Sequence, residues 1–370
     1  MRKRDIQRFQ NLLIGWYQQT SRDLPWRRTT DPYRIWVSEI MLQQTQVRKV
    51  VPYYERFVAA FPTVGALAAA DLHQVLKLWE GLGYYARARN LHKAAKVIEE
   101  KHHGDLPACP EAIRGLPGIG SYTAAAVMSI AFNADVPVID GNINRVVSRI
   151  FTIDVDPKSS QGQKRIREKG ELLLAPGRAG IHNQALMEMG AMICTPRSPN
   201  CTACPVSRFC QAQLENAQAD YPVRSPKRER PHRHVAVGIV FDGGKVLIDR
   251  RRPDGMLGGL WEFPGGKVED GEQCEDAVVR EIKEELDVDV KVLSHFATVD
   301  HQYSHFTISL HAFVCRLVSG TPRAVGCADW KWVTQDELSQ YPFPRANGKI
   351  IERLLAAAPG QIPGTCSCRR

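Results

Sequence analysis

The sequence lacks a long uninterrupted apolar run, although 44% of its 370 residues are hydrophobic. Near the N-terminus, apolar residues are spaced as one face of a helix, but charged residues and glutamines interrupt them. The residues of this face are Ile6, Phe9, Leu12, Leu13, Trp16 and Tyr17. The segment therefore fits neither a signal peptide nor a membrane span. We expect a soluble cytoplasmic protein that has no membrane partner.

No signal peptide accompanies the ten cysteines of the chain. This argues against a disulfide framework and favours metal ligands or free thiols. The chain has fewer acidic than basic side chains, with 40 Asp and Glu and 49 Lys and Arg, so its net charge is +9. Such a balance favours a polyanionic partner. The length predicts two domains, each able to bury its own core.

Changes in residue composition and hydrophobic periodicity divide the chain into four parts. Residues 1–216 have helical periodicity throughout, and Asp31-Pro32 predicts a helix start with the helix running to Gln44. Residues 217–233 are rich in proline and arginine, which predicts an extended basic linker, either a solvated spacer or a DNA contact. Residues 234–358 combine strands with a helix over Cys274 to Leu286, typical of an α+β domain. Residues 359–370 are expected to be disordered.

The stretch from Leu116 to Asn142 carries the first candidate site. Gly118 and Gly120 allow a tight turn, and the helix that follows directs its unpaired N–H groups at that turn. A helix N-terminus of this kind binds phosphate well. Asp140 follows about twenty residues later, which suggests DNA held by its backbone while a carboxylate acts on a sugar. An ordinary helix–turn–helix junction is the alternative.

Four cysteines form the second candidate site. Cys194, Cys201, Cys204 and Cys210 are separated by six, two and five residues. Four thiolates on a short loop after a helix indicate a metal site, either zinc or an iron–sulfur cluster.

A second carboxylate, Glu39, shares a helix face with Trp36, Ile40 and Gln43. These apolar neighbours predict burial, which raises the pKa of a carboxyl group and keeps it protonated. A protonated Glu39 suits a general acid, and an ionised Asp140 would stabilise positive charge on a sugar. Two carboxylates in different environments are what cleavage of an N-glycosidic bond requires, by analogy with glycoside hydrolysis.

Together these segments resemble the endonuclease III superfamily of DNA glycosylases, with its helix-hairpin-helix, its catalytic Asp and the spacing of its 4Fe-4S loop. Residues 81–90, Gly-Leu-Gly-Tyr-Tyr-Ala-Arg-Ala-Arg-Asn, are similar to the MutY-type adenine DNA glycosylases in particular. Bifunctional relatives carry a nucleophilic Lys two residues after the second hairpin glycine. This chain has Tyr122 there, so the resemblance implies base removal without β-lyase chemistry.

The resemblance implies the substrate and the residue roles. The substrate would be double-stranded DNA in which adenine is mispaired with 8-oxoguanine or guanine, and the adenine would be extruded from the stack. Glu39 would protonate the adenine N7, and Asp140, supported by Asn142, would stabilise the oxocarbenium-like sugar. Two further pairs match family positions: Arg27 and Gln184 in the adenine pocket, and Gln44 and Tyr84 as wedges in the opened stack.

The second domain resembles the Nudix domain that family members use to recognise 8-oxoguanine. Tyr303, Ser304 and His305 fall where the family has its aromatic-Ser-His loop. Gly266, Glu272 and residues 280–288 form a Nudix box with one departure, Asp287 in place of Gly. Glu281, Glu284 and Glu285 recur at helical spacing, where they would bind Mg²⁺ or form a solvated acidic face.

The sequence thus predicts an all-α helix-hairpin-helix glycosylase domain with an iron–sulfur loop, followed by an α+β Nudix-like domain. The expected function is a monofunctional adenine DNA glycosylase of base excision repair, monomeric and associated with the nucleoid. Two other interpretations remain open: a Nudix nucleotide pyrophosphohydrolase with a DNA-binding appendage, and a non-enzymatic iron–sulfur sensor of DNA.

Overall fold

A computed structural model describes residues 1–224, 230–303 and 306–357. The predicted reading residues Ser304 and His305, and the predicted tail 359–370, lie outside the described residues. The described chain divides into two compact units. Residues 1–69 with 90–224 form the first, and residues 70–89 with 230–303 and 306–357 form the second.

The first 216 residues are helical, as predicted. The helices are α1 (Lys3–Thr20), α2 (Pro32–Leu42), α3 (Val47–Ala60), α4 (Val64–Ala69), α5 (Leu72–Trp79), α6 (Ala86–His102), α7 (Pro110–Arg114), α8 (Ser121–Ala131), α9 (Gly141–Phe151), α10 (Ser160–Leu173), α11 (Ala179–Met192) and α12 (Gln211–Leu214). No described helix combines the length and the apolar character that crossing a bilayer requires.

Helix α2 begins and ends for local reasons. The Asp31 side chain accepts the Tyr33 N–H at 2.9 Å, and Pro32 occupies the first helical position, where no N–H is needed. The helix ends at Leu42, two residues before the predicted end, because Gln43 leaves the helical conformation with ψ 112°, and Gln44 then adopts a left-handed conformation with φ +57°. Most of α2 is buried, which places the Glu39 side chain in the interior.

Helix α11 packs closely against α8 and α9 because two of its residues are glycines. A Cβ at Gly180 would lie 2.4 Å from the Ser129 carbonyl oxygen of α8. A Cβ at Gly190 would lie 2.7 Å from the Asn142 Cβ of α9. The two contacts fix the position of α11, and with it the side chains that α11 presents to the candidate site.

The second unit is a mixed sheet with helices on both faces. Its elements are β1 (His232–Asp242), β2 (Lys245–Arg250), β3 (Trp261–Glu262), β4 (Gly265–Lys267), α13 (Cys274–Leu286), β5 (Asp289–Gln302), β6 (Thr307–Ser319), β7 (Asp329–Val333) and α14 (Arg345–Ala356). The strand order is β3-β2-β1-β6-β5, with β4 paired to β1 and β7 to β2. Strands β1 and β6 are parallel, and the other pairs are antiparallel.

Alternation along β1 divides its side chains between two cores. Val237 and Ile239 face the core that α14 covers, whereas Ala236 and Val240 face the core that α13 covers. Helix α13 has the predicted bounds, and Asp287 ends it in a left-handed conformation with φ +56°. The Asp287 carboxylate forms an ion pair with Arg323. These are the contacts that the structure provides for an Asp at a position where Gly would be free of strain.

Residues 70–89 belong to the second unit. The Tyr85 hydroxyl donates to the Phe343 carbonyl oxygen at 3.2 Å, and Glu80 Oε1 accepts the Phe343 N–H at 3.0 Å. Arg89 Nη1 donates to the Gly258 carbonyl oxygen at 2.7 Å. Sequence patterns gave no sign of these contacts, and the domain boundaries at 216 and 234 stay predictions.

Gly180→Ala should lower the stability of the first unit, because its Cβ would overlap the Ser129 carbonyl oxygen. Overpacking of this kind costs about 1–3 kcal/mol. Gly15→Ala, inside α1 with no atom within 4 Å of the new Cβ, should instead stabilise the protein by about 0.5–1 kcal/mol. Calorimetric unfolding of both variants tests the contrast, and equal midpoint temperatures would mean that α11 and α8 are not in close contact.

Candidate active site

Glu39 lies on the inner face of α2 and is only 4% exposed. The Tyr122 hydroxyl donates to Glu39 Oε2 at 2.7 Å. Burial raises the pKa of Glu39 to about 7, because the charged form is poorly solvated; the Tyr122 hydrogen bond acts in the opposite direction. The expected burial and raised pKa of Glu39 are therefore both confirmed.

Asp140 caps the N-terminus of α9. Its Oδ1 accepts the Ile143 N–H at 2.6 Å, and its Oδ2 accepts the Asn142 side-chain amide at 3.1 Å. Burial raises the pKa of Asp140, and these two hydrogen bonds oppose the rise. Asn142 thus lies where the sequence analysis expected it, in direct contact with the Asp140 carboxylate.

Arg145 connects this carboxylate to the cysteine loop. Its Nη2 donates to Asn142 Oδ1 at 3.0 Å and to the Gly190 carbonyl oxygen at 2.7 Å, and its Nε donates to the Cys194 carbonyl oxygen at 2.7 Å. Asn142 is therefore held between Asp140 and a guanidinium group. The geometry of the carboxylate depends on the position of the loop.

One cavity of about 160 Å³ collects the predicted catalytic and pocket residues. Its lining includes Arg27, Glu39, Tyr122, Asp140, Asn142 and Gln184. The Tyr17 hydroxyl donates to Gln184 Oε1 at 3.2 Å, which orients the amide. The cavity has room for one flat ring system and presents a protonatable carboxyl group together with a hydrogen-bonded carboxylate.

Glu188 is a buried residue of this cavity that the sequence analysis missed. It accepts hydrogen bonds from Arg22 Nη2 at 2.6 Å and from Arg27 Nη2 at 2.8 Å. Burial acts to raise its pKa, but these two guanidinium groups outweigh burial and lower the pKa of Glu188 to about 2. Its position four residues after Gln184 on one helix was the available signal.

The residues predicted to contact DNA lie on exposed turns. Gln44 and Tyr84 are both exposed and both have left-handed backbones, with φ of +57° and +52°. Gly118 has φ +76°, and a Cβ there would lie 2.6 Å from Asn90, so the turn requires glycine. Gly120 begins α8 with no side-chain cap, which leaves the first N–H groups of α8 facing an open turn.

Cys194, Cys201, Cys204 and Cys210 line one small cavity after α11, and all are free of disulfides. Four thiols that line one cavity can ligate a zinc ion or an iron–sulfur cluster.

Two neighbouring features suit such a cluster. The buried Arg149 donates from Nη1 to Cys194 Sγ at 3.2 Å, and a cation there stabilises thiolate ligands. Burial raises the pKa of the Cys204 thiol to about 12, so ligation must release a proton.

Three family models match the chain in order along its length. The first, described as HhH-GPD superfamily base excision DNA repair protein, matches residues 37–172. The second, the iron-sulfur binding domain of endonuclease III, matches residues 194–210, and a NUDIX domain model matches residues 236–353. The adenine DNA glycosylase of Homo sapiens is 33% identical, covering 98% of this chain and 76% of that protein. The chain belongs to the adenine DNA glycosylase family.

A second relative and two solved structures agree with this assignment. The adenine DNA glycosylase of Buchnera aphidicola subsp. Acyrthosiphon pisum is 33% identical, covering 84% of this chain and 87% of that protein. A thermostable thymine-DNA glycosylase is 30% identical with a TM-score of 0.53, over 57% of this chain and 98% of that one. An endonuclease III–DNA complex, 20% identical with a TM-score of 0.50, supports the fold alone. The protein is a DNA glycosylase, and the predicted fold classes are confirmed.

The Nudix-like unit of this glycosylase family member contains an acidic group formed by Asp249, Glu262 and Glu285. One oxygen of each lies within 4.8 Å of the others. Asp249 is fully buried, and within the described residues neither of its carboxylate oxygens has a hydrogen-bond partner. Burial first, and then Glu262, raises the pKa of Glu285 to about 8. Burial and both neighbours also raise the pKa of Asp249.

The three carboxylates predicted to bind Mg²⁺ do not all join this group. Arg280 Nη1 lies 3.1 Å from Glu281 and 3.5 Å from Glu284, so both carboxylates pair with that guanidinium group. Only Glu285 enters the acidic group. The sequence analysis missed Asp249 and Glu262 because each stands alone in an apolar strand.

Tyr303, the described member of the predicted reading loop, lines a cavity of about 190 Å³. Its ring stacks on Phe306, with centroids 4.9 Å apart. Burial raises the pKa of Tyr303 to about 12, so its hydroxyl stays protonated. Arg251 and Glu262 line the same cavity, and Arg251 Nη1 donates to Glu262 Oε1 at 2.7 Å.

Tyr122→Phe should shift the pH dependence of base release to higher pH. The lost hydroxyl stabilises the ionised form of Glu39, so its removal raises the pKa of Glu39 above about 7. A rate that needs protonated Glu39 falls as pH rises through that pKa, and in the variant this fall comes later. Single-turnover rates between pH 5 and pH 9 measure it.

Tyr33→Phe is the matched control, since the Tyr33 hydroxyl is buried but bonds to the Phe61 carbonyl oxygen, away from Glu39. Its pH profile should match that of the wild type. A Tyr122→Phe profile that does not move, or that moves to lower pH, would contradict the assignment of the hydrogen bond.

Proposed function

We propose that the chain hydrolyses the N-glycosidic bond of adenine mispaired with 8-oxoguanine or guanine in duplex DNA, as a monomer acting on the nucleoid. The observation that carries the proposal is the pairing of Glu39 and Asp140 in one cavity. The pKa of Glu39 is about 7, whereas Asp140 is an N-cap that accepts two hydrogen bonds. Glu39 is therefore suited to donate a proton, and Asp140 is suited to stabilise a positively charged sugar.

Each carboxylate has a defined role in the proposed reaction. Glu39, about half protonated at neutral pH, gives its proton to N7 of the extruded adenine, which makes the base a better leaving group. The C1′–N9 bond breaks, and the Asp140 carboxylate stabilises the oxocarbenium-like sugar. Water then adds at C1′, and its proton returns to Glu39. Asn142 and the Ile143 N–H hold Asp140 in place.

Base removal without strand cleavage follows from the lining of the cavity. The described residues that line it include arginines but no lysine, and Tyr122 occupies the position of the amine in bifunctional relatives. The Tyr122 hydroxyl is engaged as a donor to Glu39. Among the described residues that line the cavity, no amine is therefore placed to form a Schiff base with the sugar.

Two kinds of feature suit the binding of an opened duplex. In the first unit, the uncapped N-terminus of α8 and the Gly118 turn present N–H groups to a phosphate. Gln44 and Tyr84 are exposed on turns with left-handed backbones, and we assign each as a wedge that enters the opened base stack. The Cys loop carries a 4Fe-4S cluster in this proposal, and basic residues on that loop, such as Arg208, add contacts to phosphates.

The reading of 8-oxoguanine is assigned to the Nudix-like unit. Tyr303 supports this because it offers a stacking surface and a protonated hydroxyl beside a cavity that also holds a charged pair. Ser304 and His305, which follow Tyr303 in the sequence, lie outside the described residues.

A second proposal concerns the acidic group, which we propose binds Mg²⁺ or Mn²⁺ weakly. The orphaned carboxylate of Asp249 supports it, because a buried carboxylate without a partner is costly unless it is protonated or ligates a cation. Oxygen donors are the ligands that these ions prefer. Nucleotide hydrolysis at this group would be vestigial, since Glu281 and Glu284 are paired with Arg280.

Glu39→Gln should abolish adenine release and leave duplex binding intact, because an amide keeps the shape of the side chain but cannot give the proton. The rate should fall by at least ~10²–10⁴-fold. Single-turnover assays on duplexes with adenine opposite each normal base and opposite 8-oxoguanine measure both activity and preference. Glu55→Gln, an exposed change on α3, is the control. If Glu39→Gln released adenine at a rate within a few-fold of the wild-type rate, Glu39 would not be the general acid.

Asp249→Asn should remove Mn²⁺ binding, whereas Glu284→Gln should retain it. Of these two residues, Asp249 belongs to the acidic group and Glu284 does not. Titration of the full-length protein with Mn²⁺, followed by the electron paramagnetic resonance of the free ion, measures both variants. Identical titrations of Asp249→Asn and the wild type would eliminate the proposed metal site.

A further inference from the structure

An exposed histidine face lies on the sheet of the second unit, where β1, β6 and β5 run side by side. His232 and His234 are two residues apart on β1 and so share one side of the sheet. The register pairs His234 with Ser309 and Ala236 with His311, which places His311 one step along on β6. No residue of the proposed glycosylase chemistry belongs to this face.

Two of these imidazoles meet directly. His234 Nδ1 lies 3.1 Å from His311 Nε2, and the rings are nearly parallel, with an interplanar angle of 16°. Two imidazole nitrogens bound to one ion at about 2.0–2.1 Å are roughly 3.0 Å apart at a right angle and about 3.4 Å apart at a tetrahedral angle. The observed separation lies within this range, so an ion could replace the shared proton after small ring rotations.

The surroundings of His311 resemble the outer shell of a metal site. Its other nitrogen, Nδ1, lies 3.1 Å from Thr298 Oγ1, which in turn lies 2.9 Å from His295 Nε2. A hydrogen bond at the second nitrogen fixes the orientation of a metal-binding imidazole ring. Thr298 therefore orients the His311 ring toward His234.

A third imidazole and a counter-charge are near. The His232 ring lies against His234, with centroids 4.9 Å apart, and its two nitrogens contact Thr307 Oγ1 at 2.8 Å and Ser309 Oγ at 3.2 Å. Ser309 Oγ donates to Asp300 Oδ1 at 2.6 Å. Asp300 thus places a carboxylate beside the pair, and its charge favours a bound dication.

We propose that His234 and His311 bind a first-row transition-metal dication of the zinc class, with water completing the coordination. Imidazole ligands select zinc, nickel or copper over magnesium, which prefers oxygen. The bound ion would join the first residues of β1 to β6 and so strengthen the start of the second unit. This site is separate from the cysteine loop and from the acidic group, and it does not depend on the proposed substrate.

Zinc binding is measured on full-length, tag-free protein with its iron–sulfur cluster intact, by competition against a chromogenic zinc chelator. We expect one saturable site in the wild type. His234→Ala and His311→Asn should each weaken binding by more than about 10-fold, and Thr298→Val, which removes only the orienting hydroxyl, by about 10-fold. All three substituted side chains are exposed or half-buried, so these variants should fold.

Two controls separate this site from others. His103→Ala, which changes an exposed histidine of the first unit, should bind zinc as the wild type does. Asp249→Asn should also bind zinc normally. Excess zinc should raise the unfolding temperature of the wild type and not that of His234→Ala, because only a protein that binds the ion is stabilised by it.

Three results would overturn the proposal. The wild type could show no saturable zinc binding, in which case His234 and His311 form a hydrogen-bonded pair only. His234→Ala and His311→Asn could bind zinc as the wild type does. Alternatively, Asp249→Asn could abolish the binding, which would assign the ion to the acidic group.

Discussion

The buried guanidinium group of Arg145 is the interaction on which the catalytic half of the molecule depends. It bonds at once to Asn142, to the last turns of α11 and to the first residue of the cysteine loop. A buried cation is stable only where hydrogen-bond acceptors surround it, and here the acceptors come from three separate elements. Loss of any one of them would leave charge unsatisfied in the interior. The order of the metal loop and the geometry of Asp140 are therefore parts of one arrangement.

The cavity beside it sorts three carboxyl groups by their surroundings. Glu39 has apolar neighbours and a single donor, and its pKa rises to about 7. Asp140 has a helix N-terminus and an amide, which counteract its burial. Glu188 has two guanidinium groups, and its pKa falls to about 2. Three identical functional groups thus become a carboxyl group with a raised pKa, an N-capping carboxyl group and an ion-paired carboxylate, because desolvation, hydrogen bonds and charge pairs contribute in different proportions.

Sequence patterns predicted the features that depend on residues close together in the chain. The Asp31-Pro32 cap, the bounds of α13, the spacing of the four cysteines and the burial of Glu39 all follow from residues within a few positions of one another. The rest depends on contacts between distant segments. Glu188 matters because α11 brings it to Arg22 and Arg27, and Asp249 because β2 and β3 bring it to Glu262. The grouping of residues 70–89 with the second unit likewise rests on hydrogen bonds to residues more than 160 positions away.

Gly190 shows how a residue with no reactive group can become as intolerant of change as a carboxylate. It sits in the interior of α11, where glycine costs about 1 kcal/mol of helix stability relative to alanine. Any side chain at this position would displace Asn142, and Asn142 holds Asp140. Glycine at this position therefore lowers the stability of α11 but allows its backbone to lie close to Asn142. In an assay of every substitution at every position, we expect substitutions of Gly190 to reduce activity as much as substitutions of Glu39 or Asp140. Gly190 itself contributes only the absence of a side chain next to Asn142.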